Sequence, residues 1–465
     1  MKNEKSISLF YLIMVSSAFV VSIRNLPTIA ETQMQMIFLG IVAALVFFIP
    51  GALVSAELAT GWPDMGGVAV WVKEAFGKRL GLLASWFQWT YMVISAIAML
   101  YFISSSIAYM FKPDLADNWI YLLVSELVLI WLFTFLNLKG LSISKLISTI
   151  GFLAGVLLPA FLIIVLGLIY IFQGNEIQLD LSLTRKNLIP NFEDLSTIVL
   201  FVGFMRAFAG IEASAAHANN VENPQKNYPI AIMIVVIFGL VVNILGSMAV
   251  AVVVPQKEIS LVSGVMVAFS SFLKTFNLSF LLPLLGLLAA VGQTGGFSTW
   301  ITGPVKGLLK YANEGELPAF FKKVNKHEVP VNLMIIQAII ISVLGSFFLL
   351  FTESINIAFW ISVALSMLIY VSMYFLMFLS GLYLRYKKPN VERKFKIPFK
   401  NYGMWFVASL GMIGMVLSFV IAFIPPSQLP QSHHDLYYSV LILGVIIIYI
   451  SPFAIESFKK RSQRK

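Results

Sequence analysis

Three charged side chains, Arg24, Arg206 and Glu212, lie within segments of the sequence that are otherwise apolar. A charge near the centre of a bilayer costs about 2.5–3.5 kcal/mol on insertion scales, so a functional role is the first hypothesis for such a residue. An arginine in this setting can hold a carboxylate through bidentate, charge-assisted hydrogen bonds. A glutamate can carry a proton, act as the counter-ion of an arginine or bind a ligand ammonium. The three residues therefore predict a binding site for a small charged solute inside a membrane.

Both arginines stand beside sequence that interrupts a helix. Arg24 is followed by Asn25 and by Pro27, which has no N–H to donate, and Arg206 is followed by the small residues Ala207, Ala209 and Gly210. An interruption frees backbone groups that protein, water or a ligand must satisfy, and the new half-helix N-terminus attracts a carboxylate. Secondary transporters build their substrate sites from helices interrupted near the middle of the membrane. The pattern predicts such a site here.

An alternative interpretation places the arginines in internal ion pairs, with Glu212 or Glu126 as the partner. The two interpretations are compatible, because an ion pair that opens when substrate binds is a gate. We predict that Arg24 contacts substrate and that Arg206 and Glu212 take part in coupling or gating.

The composition is that of a polytopic α-helical membrane protein. The chain has 465 residues, of which 59% are hydrophobic and 12% charged, whereas a soluble domain has about 25% charged residues. It has no cysteine, and its four histidines show no metal-ligand spacing. A nucleophile–base cluster, a phosphate-binding loop and a metal-ligand set are not evident. We therefore expect no enzyme activity, no metal and no cofactor.

The apolar segments predict twelve membrane-spanning helices in one domain, residues 1–465. The predicted spans are 8–30, 36–58, 80–110, 119–137, 144–172, 196–217, 228–254, 280–304, 332–352, 355–384, 402–425 and 437–457.

The distribution of basic residues predicts the orientation. Of the 32 Lys and Arg residues, 25 fall on the side of the two termini and five on the opposite side, which places both termini in the cytoplasm. The net charge of +10 then reflects topology rather than a nucleic-acid surface. The expected partners are the lipid bilayer and a small-molecule substrate; the sequence does not indicate an oligomeric state.

Spans 1 and 6 carry the two interruptions, and their offset of five spans makes them antiparallel. This arrangement predicts an inverted repeat, with repeat one at about 8–172, repeat two at about 196–384 and two extra helices at about 402–457. Residue identity between the halves is negligible, so the repeat is inferred from the architecture alone.

Two other groups have ordinary interpretations. Trp86, Gln88, Trp89 and Tyr91 at the start of span 3 are typical of an aromatic belt at the membrane interface. Gly292, Gly295 and Gly296 in span 8 are typical of close packing between helices.

Several longer segments resemble one family. They are GIEASAAHANNVENPQKNYP at 210–229, IPGALVSAEL at 49–58, GGVAVWVKEAFG at 66–77, MLYF at 99–102, KEISLVSGVM at 257–266 and WITGP at 300–304. On these segments the chain resembles an amino-acid permease of the amino acid–polyamine–organocation superfamily, and within it the glutamate/γ-aminobutyrate antiporter group. The resemblance covers residues 8–457.

The resemblance implies a LeuT-like fold of 5+5 inverted repeats with broken helices 1 and 6, plus two extra C-terminal helices. It also implies alternating access at a site between the broken helices. The residues that it assigns to substrate binding come from helices 1, 6, 8 and 10. They are Ser22, Arg24, Asn25, Phe208, Ala209, Gly210, Gly296 and Tyr370.

Two positions depart from the pattern expected of acid-resistance exchangers in this group. Arg24 stands where a tyrosine is expected, and Gly296 stands where a glutamate is expected. Both changes make the pocket more positive, which favours a more anionic substrate or activity nearer neutral pH. The resemblance implies exchange of glutamate or a related acidic amino acid for γ-aminobutyrate or another amino acid at the plasma membrane. The alternatives are proton-coupled uptake, with Glu212 carrying the proton, and a non-transporting amino-acid sensor.

Overall fold

A computed structural model describes residues 8–63, 67–140, 151–191, 198–214, 221–426 and 429–462. These ranges are mostly helical and include an isolated β-bridge between Val324 and Pro330. The helices are α1 (Leu9–Val20), α2 (Leu26–Ala30), α3 (Met36–Ala43), α4 (Ile49–Gly61), α5 (Val68–Phe76), α6 (Lys78–Phe111), α7 (Trp119–Leu138), α8 (Leu158–Phe172), α9 (Arg185–Leu188), α10 (Phe201–Ala207), α11 (Ile211–Ser214), α12 (Pro224–Val253), α13 (Gly264–Thr275), α14 (Leu282–Asn313), α15 (Val331–Thr352), α16 (Ile355–Lys387), α17 (Lys400–Ile421) and α18 (His434–Ser462).

Ten helical segments in the described ranges are long and apolar enough to cross a membrane. The bent pair Leu9–Ala18 and Ile23–Ala30, which turns by 42°, makes an eleventh if it is one span. The prediction of a polytopic α-helical membrane protein is confirmed. Nine predicted spans each overlap one of these segments, and the predicted span 8–30 overlaps the bent pair. The predicted span 144–172 overlaps Leu153–Phe172 and is described only from residue 151. The predicted span 196–217 lies partly outside the described residues, so the count of twelve stays a prediction.

Two helices form the centre of the protein. In the most apolar stretch of 18 residues of α6, 94% of the residues are buried, and in that of α16 83% are buried. The corresponding shares are 28% for α7 and 11% for Gln431–Ser457 in α18. Since side chains that face lipid need no protein partner, α7 and α18 lie at the periphery. The helices α6 and α16 form the buried scaffold; α10 packs against α16, whereas α1 and α2 pack against α12.

The first interruption separates α1 from α2. Val21 and Ser22 have extended backbone angles, a 3₁₀ turn at Ile23–Asn25 follows, and Pro27 lies in the first turn of α2. Proline is favourable there, because its missing N–H would have no partner in the first helical turn anyway. The predicted break in the first span is confirmed.

The second interruption separates α10 from α11. α10 ends at Ala207, and Gly210 has φ +108°, a conformation that residues with a Cβ rarely adopt. The ring of Phe208 stacks on Phe48 with centroids 4.8 Å apart, which fixes the backbone between the two half-helices. α11 packs against α1, so the two interrupted regions lie side by side.

α14 contains glycines with two different surroundings. A Cβ on Gly292 would lie 2.5 Å from backbone atoms of Gly155, so the predicted close packing is confirmed at this position. A Cβ on Gly296, about one helical turn later, would meet nothing within 4 Å. The packing interpretation is therefore wrong for Gly296, because this glycine faces open space.

A buried charge cluster, here called the Glu57 cluster, comprises Glu57, Arg385 and Arg393 and joins α4 to the end of α16 and to the connection after it. Arg385 donates from Nε and Nη2 to the two carboxylate oxygens of Glu57 at 2.5 and 2.6 Å. The N–H of Ile397 donates to Glu57 Oε2 at 2.8 Å, and Arg393 Nε lies 3.6 Å from Glu57 Oε1. The three charged side chains are at most 8% exposed.

Candidate functional site

A cavity of about 260 Å³ lies between the two interruptions and the helices α6 and α14. The extended segment after α1 contributes Ser22, and the turn that follows contributes Arg24 and Asn25. The end of α10 contributes Arg206, and the break after it contributes Ala209. The wall opposite is built by α6 and α14 with Tyr91, Met92, Ser95, Met99, Gln293, Gly296 and Trp300. This cavity is called the arginine cavity below.

The structure brings together six of the residues singled out from the sequence. They line the arginine cavity and are Ser22, Arg24, Asn25, Arg206, Ala209 and Gly296. Phe208, Gly210, Tyr370 and Glu212 are not among its lining residues. They lie behind the wall, where the ring of Tyr370 packs on that of Tyr91 with centroids 4.3 Å apart.

Arg24 and Arg206 are the charged residues among the described lining of the arginine cavity. Arg206 is 6% exposed, its guanidinium lies over the ring of Phe359 at 5.1 Å, and its Nη2 has no hydrogen-bond partner. Nε and Nη1 of Arg24 are shielded from solvent and also lack a partner. Two guanidinium groups thus line one cavity, and each has at least one buried N–H donor without a partner.

The predicted ion pairs of these arginines are not formed in this conformation. Within the described ranges, no carboxylate oxygen comes within 4.0 Å of a nitrogen of Arg24 or Arg206. Glu212 has other partners, and both carboxyl oxygens of Glu126 are buried against Gly345 without a hydrogen-bond partner. The interpretation of Glu212 or Glu126 as an arginine counter-ion is therefore wrong for this conformation.

Glu212 holds the break after α10 against α16. Tyr374 donates to Glu212 Oε2 at 2.5 Å, and Tyr370 donates to the same oxygen at 2.8 Å. The N–H of Gly210 donates to the hydroxyl of Tyr370 at 2.7 Å. The other carboxyl oxygen, Oε1, is buried without a partner. Gly210 and Glu212 are thus tied to the same tyrosine.

Neutral side chains complete the wall of the arginine cavity. Ser22 donates from Oγ to Oε1 of Gln293 at 3.3 Å, which connects the break after α1 to α14. The hydroxyl of Ser95 is buried without a partner. Trp300 meets Tyr91 edge to face at 6.4 Å between ring centroids. These groups can hydrogen-bond a polar ligand, but they add no formal charge.

Tyr91 is the main functional candidate that sequence reasoning missed. The prediction of an aromatic belt is wrong for Trp86, Trp89 and Tyr91, because they are at most 7% exposed and pack inside the protein. The segment SWFQWTY carries no local signal that separates a buried wall from an interfacial belt. Tyr374 was also missed, although its spacing of four from Tyr370 places both on one face of α16.

The described residues include no group of three or more His, Asp and Glu side chains that could hold a metal ion. What the arginine cavity can do chemically is bind an anion. Its donors are unused and positively charged, and the remaining lining is apolar or neutral.

Comparisons with known proteins agree with this architecture. A family model for amino acid permeases matches residues 7–448. The chain is 39% identical over 451 residues to an uncharacterised transporter of Legionella pneumophila, with 97% of this chain and 96% of the relative covered. It is 33% identical over 458 residues to a glutamate/γ-aminobutyrate antiporter of Lactococcus lactis, with 97% and 90% covered. The resemblance drawn from the sequence motifs is confirmed.

Proposed function

The chain belongs to the amino acid permease family, and we propose that it is an amino-acid antiporter of a bacterial inner membrane. It exchanges glutamate or a related acidic amino acid for γ-aminobutyrate or another amino acid. The relatives named as glutamate/γ-aminobutyrate antiporters support the substrate pair. Both termini are cytoplasmic in this proposal, as the distribution of basic residues favours.

One observation carries the choice of an acidic substrate. Arg24 and Arg206 line one cavity in which the other described lining residues are neutral, and nitrogens of both are buried without a partner. A buried charge is stable when it is paired and hydrogen-bonded, and a guanidinium cannot become neutral by losing its proton in a protein. A carboxylate ligand supplies the missing counter-charge.

The two interruptions position the substrate. The free backbone groups at Ser22 and between Phe208 and Gly210 receive its polar groups, and Arg24 holds one carboxylate by a bidentate contact. Arg206 contributes the second positive charge. Gly296 leaves room for the ligand, because nothing lies within 4 Å of the position that its Cβ would take.

Exchange follows if the interrupted helices move as one unit against the scaffold of α6 and α16. The unit comprises the predicted spans 8–30, 36–58, 196–217 and 228–254, which are the first, second, sixth and seventh spans of a 5+5 inverted repeat. The two C-terminal helices lie outside the repeats. The bonds of Glu212 to Tyr370 and Tyr374 join this unit to α16. Their breakage is the gating step of the proposal. Without substrate, no anion neutralises the two arginines, so the change between the outward-open and inward-open conformations is slow. The conformational change is thereby coupled to bound substrate.

Proton-coupled uptake is the second candidate. Oε1 of Glu212 is buried without a partner, and a proton on this oxygen would remove the charge during the transition.

Uptake of labelled glutamate into proteoliposomes separates the two functions. Vesicles are loaded with glutamate, with γ-aminobutyrate or with buffer alone, each with and without an inwardly directed proton gradient. An exchanger takes up labelled glutamate into loaded vesicles with or without the proton gradient, and it takes up none into empty vesicles. Uptake into empty vesicles that requires the proton gradient would establish the second function instead. Absence of glutamate uptake under every loading would contradict both.

A further inference from the structure

A second pocket, of about 300 Å³, lies at the periphery of the protein. It is lined by Leu83 and Phe87 of α6, by residues of the segments 371–376 of α16 and 415–420 of α17, and by Tyr449 of α18. Among the described residues, it shares no lining residue with the arginine cavity. This pocket is called the peripheral pocket below.

The peripheral pocket opens toward the bilayer. Val416 and Val420 line it and are nevertheless 52% and 59% exposed, so they form its rim. In the most apolar stretch of 18 residues, α17 has 33% of its residues buried, and α18 has 11% buried. The outer faces of these two helices therefore lie against lipid chains, and the pocket between them is accessible from the membrane.

The interior of the peripheral pocket is apolar. Ser372 and Tyr449 are its polar lining residues, and the hydroxyl of Tyr449 donates to that of Ser372. The ring of Tyr449 also packs against Phe87 with centroids 4.6 Å apart. A polar solute would lose its hydration there without gaining hydrogen bonds in return. The pocket therefore fits a hydrocarbon.

Two aromatic residues lie on the same helix faces as the pocket. Trp405 is eleven positions before Val416 on α17, and Tyr386 is eleven positions after Phe375 on α16. Eleven residues make about three turns and about 16 Å of helix. Trp405 donates from Nε1 to the hydroxyl of Tyr386 at 2.9 Å, which joins the two helices at this level.

The distance between this aromatic pair and the pocket matches the depth of one leaflet. The hydrocarbon core of a bilayer is about 30 Å thick, so one leaflet contributes about 15 Å. Tryptophan and tyrosine are favourable at the level of the lipid headgroups. Trp405 and Tyr386 are 48% and 52% exposed, as residues at that level can be. An acyl chain that begins beside the pair therefore ends at the peripheral pocket.

The charge beside the aromatic pair suits an anionic headgroup. Lys387 directly follows Tyr386, Lys400 is the first residue of α17, and both lysines are exposed. Lysines near the membrane surface attract anionic lipids. A lipid chain gains little when it moves from the bilayer into an equally apolar pocket. Contacts of the headgroup and close packing of the chain therefore decide which lipid binds.

We infer that the peripheral pocket and the Trp405–Tyr386 pair together bind one phospholipid with an anionic headgroup. The headgroup lies beside Lys387 and Lys400, and the end of one acyl chain fills the pocket. In the proposed orientation this lipid belongs to the cytoplasmic leaflet. The inference goes beyond the proposed function and does not depend on the substrate of the arginine cavity.

Native mass spectrometry of the full chain, purified and delipidated in detergent, tests the choice of lipid. Phosphatidylglycerol and phosphatidylcholine with identical oleoyl chains are the probes. We expect one phosphatidylglycerol per chain, bound at least about fivefold more tightly than phosphatidylcholine. Glycerol 3-phosphate, which has the anionic group without the chains, should not displace it. Equal binding of the two lipids, or displacement by glycerol 3-phosphate, would overturn the inference.

Substitutions on the rim test the pocket itself. Val416→Trp and Val420→Trp each place a large side chain in the space assigned to the acyl chain, so the affinity for phosphatidylglycerol should fall by at least about fivefold. Leu417→Trp is the matched control, because Leu417 is 51% exposed and adjacent in sequence but does not line the pocket. Size-exclusion chromatography confirms that each variant is folded. Equal affinity in all three variants would contradict a chain in the pocket.

Substitution of a lysine tests the headgroup contact. Lys400→Gln should lower the affinity for phosphatidylglycerol by about fivefold and leave that for phosphatidylcholine unchanged. Lys326→Gln is the control, since Lys326 is exposed in the connection between α14 and α15, two helices that do not line the pocket.

The same spectra distinguish a lipid from a second copy of the chain. If the two valine variants lower the ratio of dimer to monomer and leave phosphatidylglycerol binding unchanged, this face is an interface between copies, and the lipid site is overturned.

Discussion

Two pairs of buried arginines in this protein have opposite surroundings. Arg385 and Arg393 surround one carboxylate, and Arg385 meets both of its oxygens. Arg24 and Arg206 share a cavity whose other described lining residues are neutral, and their shielded nitrogens lack partners. Arg393 Nε also lacks a hydrogen-bond partner, but it lies 3.6 Å from a carboxylate oxygen of Glu57. The two pairs thus differ in counter-charge, which the chain supplies to the first pair and which no described carboxylate supplies to the second.

In the proposed function, the first pair is structural and the second belongs to the substrate site. Charges withdrawn from water are stable when opposite charges and hydrogen bonds replace the water, and the Glu57 cluster meets that requirement within the chain. The described residues of the arginine cavity do not, and in the proposed function the substrate supplies the missing counter-charge. Completed contacts fix the architecture, and incomplete contacts mark the place where binding free energy becomes available.

The largest expected effect is at the centre of the Glu57 cluster. Glu57→Gln leaves Arg385 and Arg393 buried without a counter-charge, and breaking a buried ion pair in this way costs about 3–5 kcal/mol. We expect a loss of folded, monodisperse protein or a fall in unfolding temperature, measured by size-exclusion chromatography and thermal unfolding in detergent.

Glu74→Gln is the matched control. Its partner Lys388 lies at 2.5 Å, but the two side chains are 34% and 41% exposed. An ion pair in that setting contributes about 0–1 kcal/mol. Equal losses for the two variants would show that burial is not what distinguishes the Glu57 cluster.

The second effect is on exchange. Arg24→Gln and Arg206→Gln each remove a donor that the ligand completes, so exchange of labelled glutamate should fall by about 100-fold, which corresponds to about 2.7 kcal/mol. Initial rates in loaded proteoliposomes measure it, with protein content normalised by immunoblot. Exchange within about twofold of the unchanged protein in both variants would remove the arginines from the site.

Glu31 extends the comparison to a buried acid, because a carboxyl group can respond to burial by taking up a proton. Glu31 is 3% exposed between α2 and the following turn, and burial raises its pKa from 4.5 to about 8. Between these values the native state holds a proton that the unfolded state has released, so stability falls as pH rises through this window. From about pH 6 to about pH 7.5 the fall should be about 2 kcal/mol.

Chemical unfolding of the unchanged protein and of Glu31→Gln at the two pH values measures this difference. The variant cannot ionise at this position and should lose that part of the slope. The same slope in both proteins would assign the pH dependence to other groups.

The smallest expected effect is at Gly296. Gly296→Ala adds a methyl group where nothing lies within 4 Å, and alanine favours a helix over glycine by about 1 kcal/mol, so the variant should be as stable as the unchanged protein or slightly more so. Gly292→Ala would place a Cβ against the backbone of Gly155 and should destabilise by about 1–3 kcal/mol. Unfolding temperatures of the two variants check this, and a reversed order would contradict the placement of the arginine cavity beside α14.

The sequence was sufficient for features that depend on local patterns. Long apolar segments predicted the spans, and Pro27 and Gly210 marked the interruptions, because the backbone chemistry of proline and glycine acts where they stand. The arginines were found because a charge in an apolar segment is unusual at any position. The placement of Arg24 and Arg206 on one cavity follows from adjacent interruptions.

Features that depend on distant residues could not be predicted in this way. Glu57 and Arg385 are 328 positions apart, and no local pattern at either residue indicates the other. Glu212 was considered as a partner of arginine, but it bonds to tyrosines of α16 about 160 positions later, since helix packing decides which polar groups meet. Tyr91 was assigned to the membrane interface for the same reason, because the burial of α6 is a property of the assembled protein.

The most direct test of the contrast between the two arginine pairs is the unfolding temperature of the unchanged protein and of Arg24→Gln, each with and without glutamate. We predict that glutamate raises the unfolding temperature of the unchanged protein by about 2 °C or more. Arg24→Gln should be at least as stable as the unchanged protein without ligand, because an unpaired charge has been removed, and glutamate should no longer stabilise it. A variant that is less stable without ligand and still responds fully to glutamate would contradict the conclusion that Arg24 receives its counter-charge from the substrate.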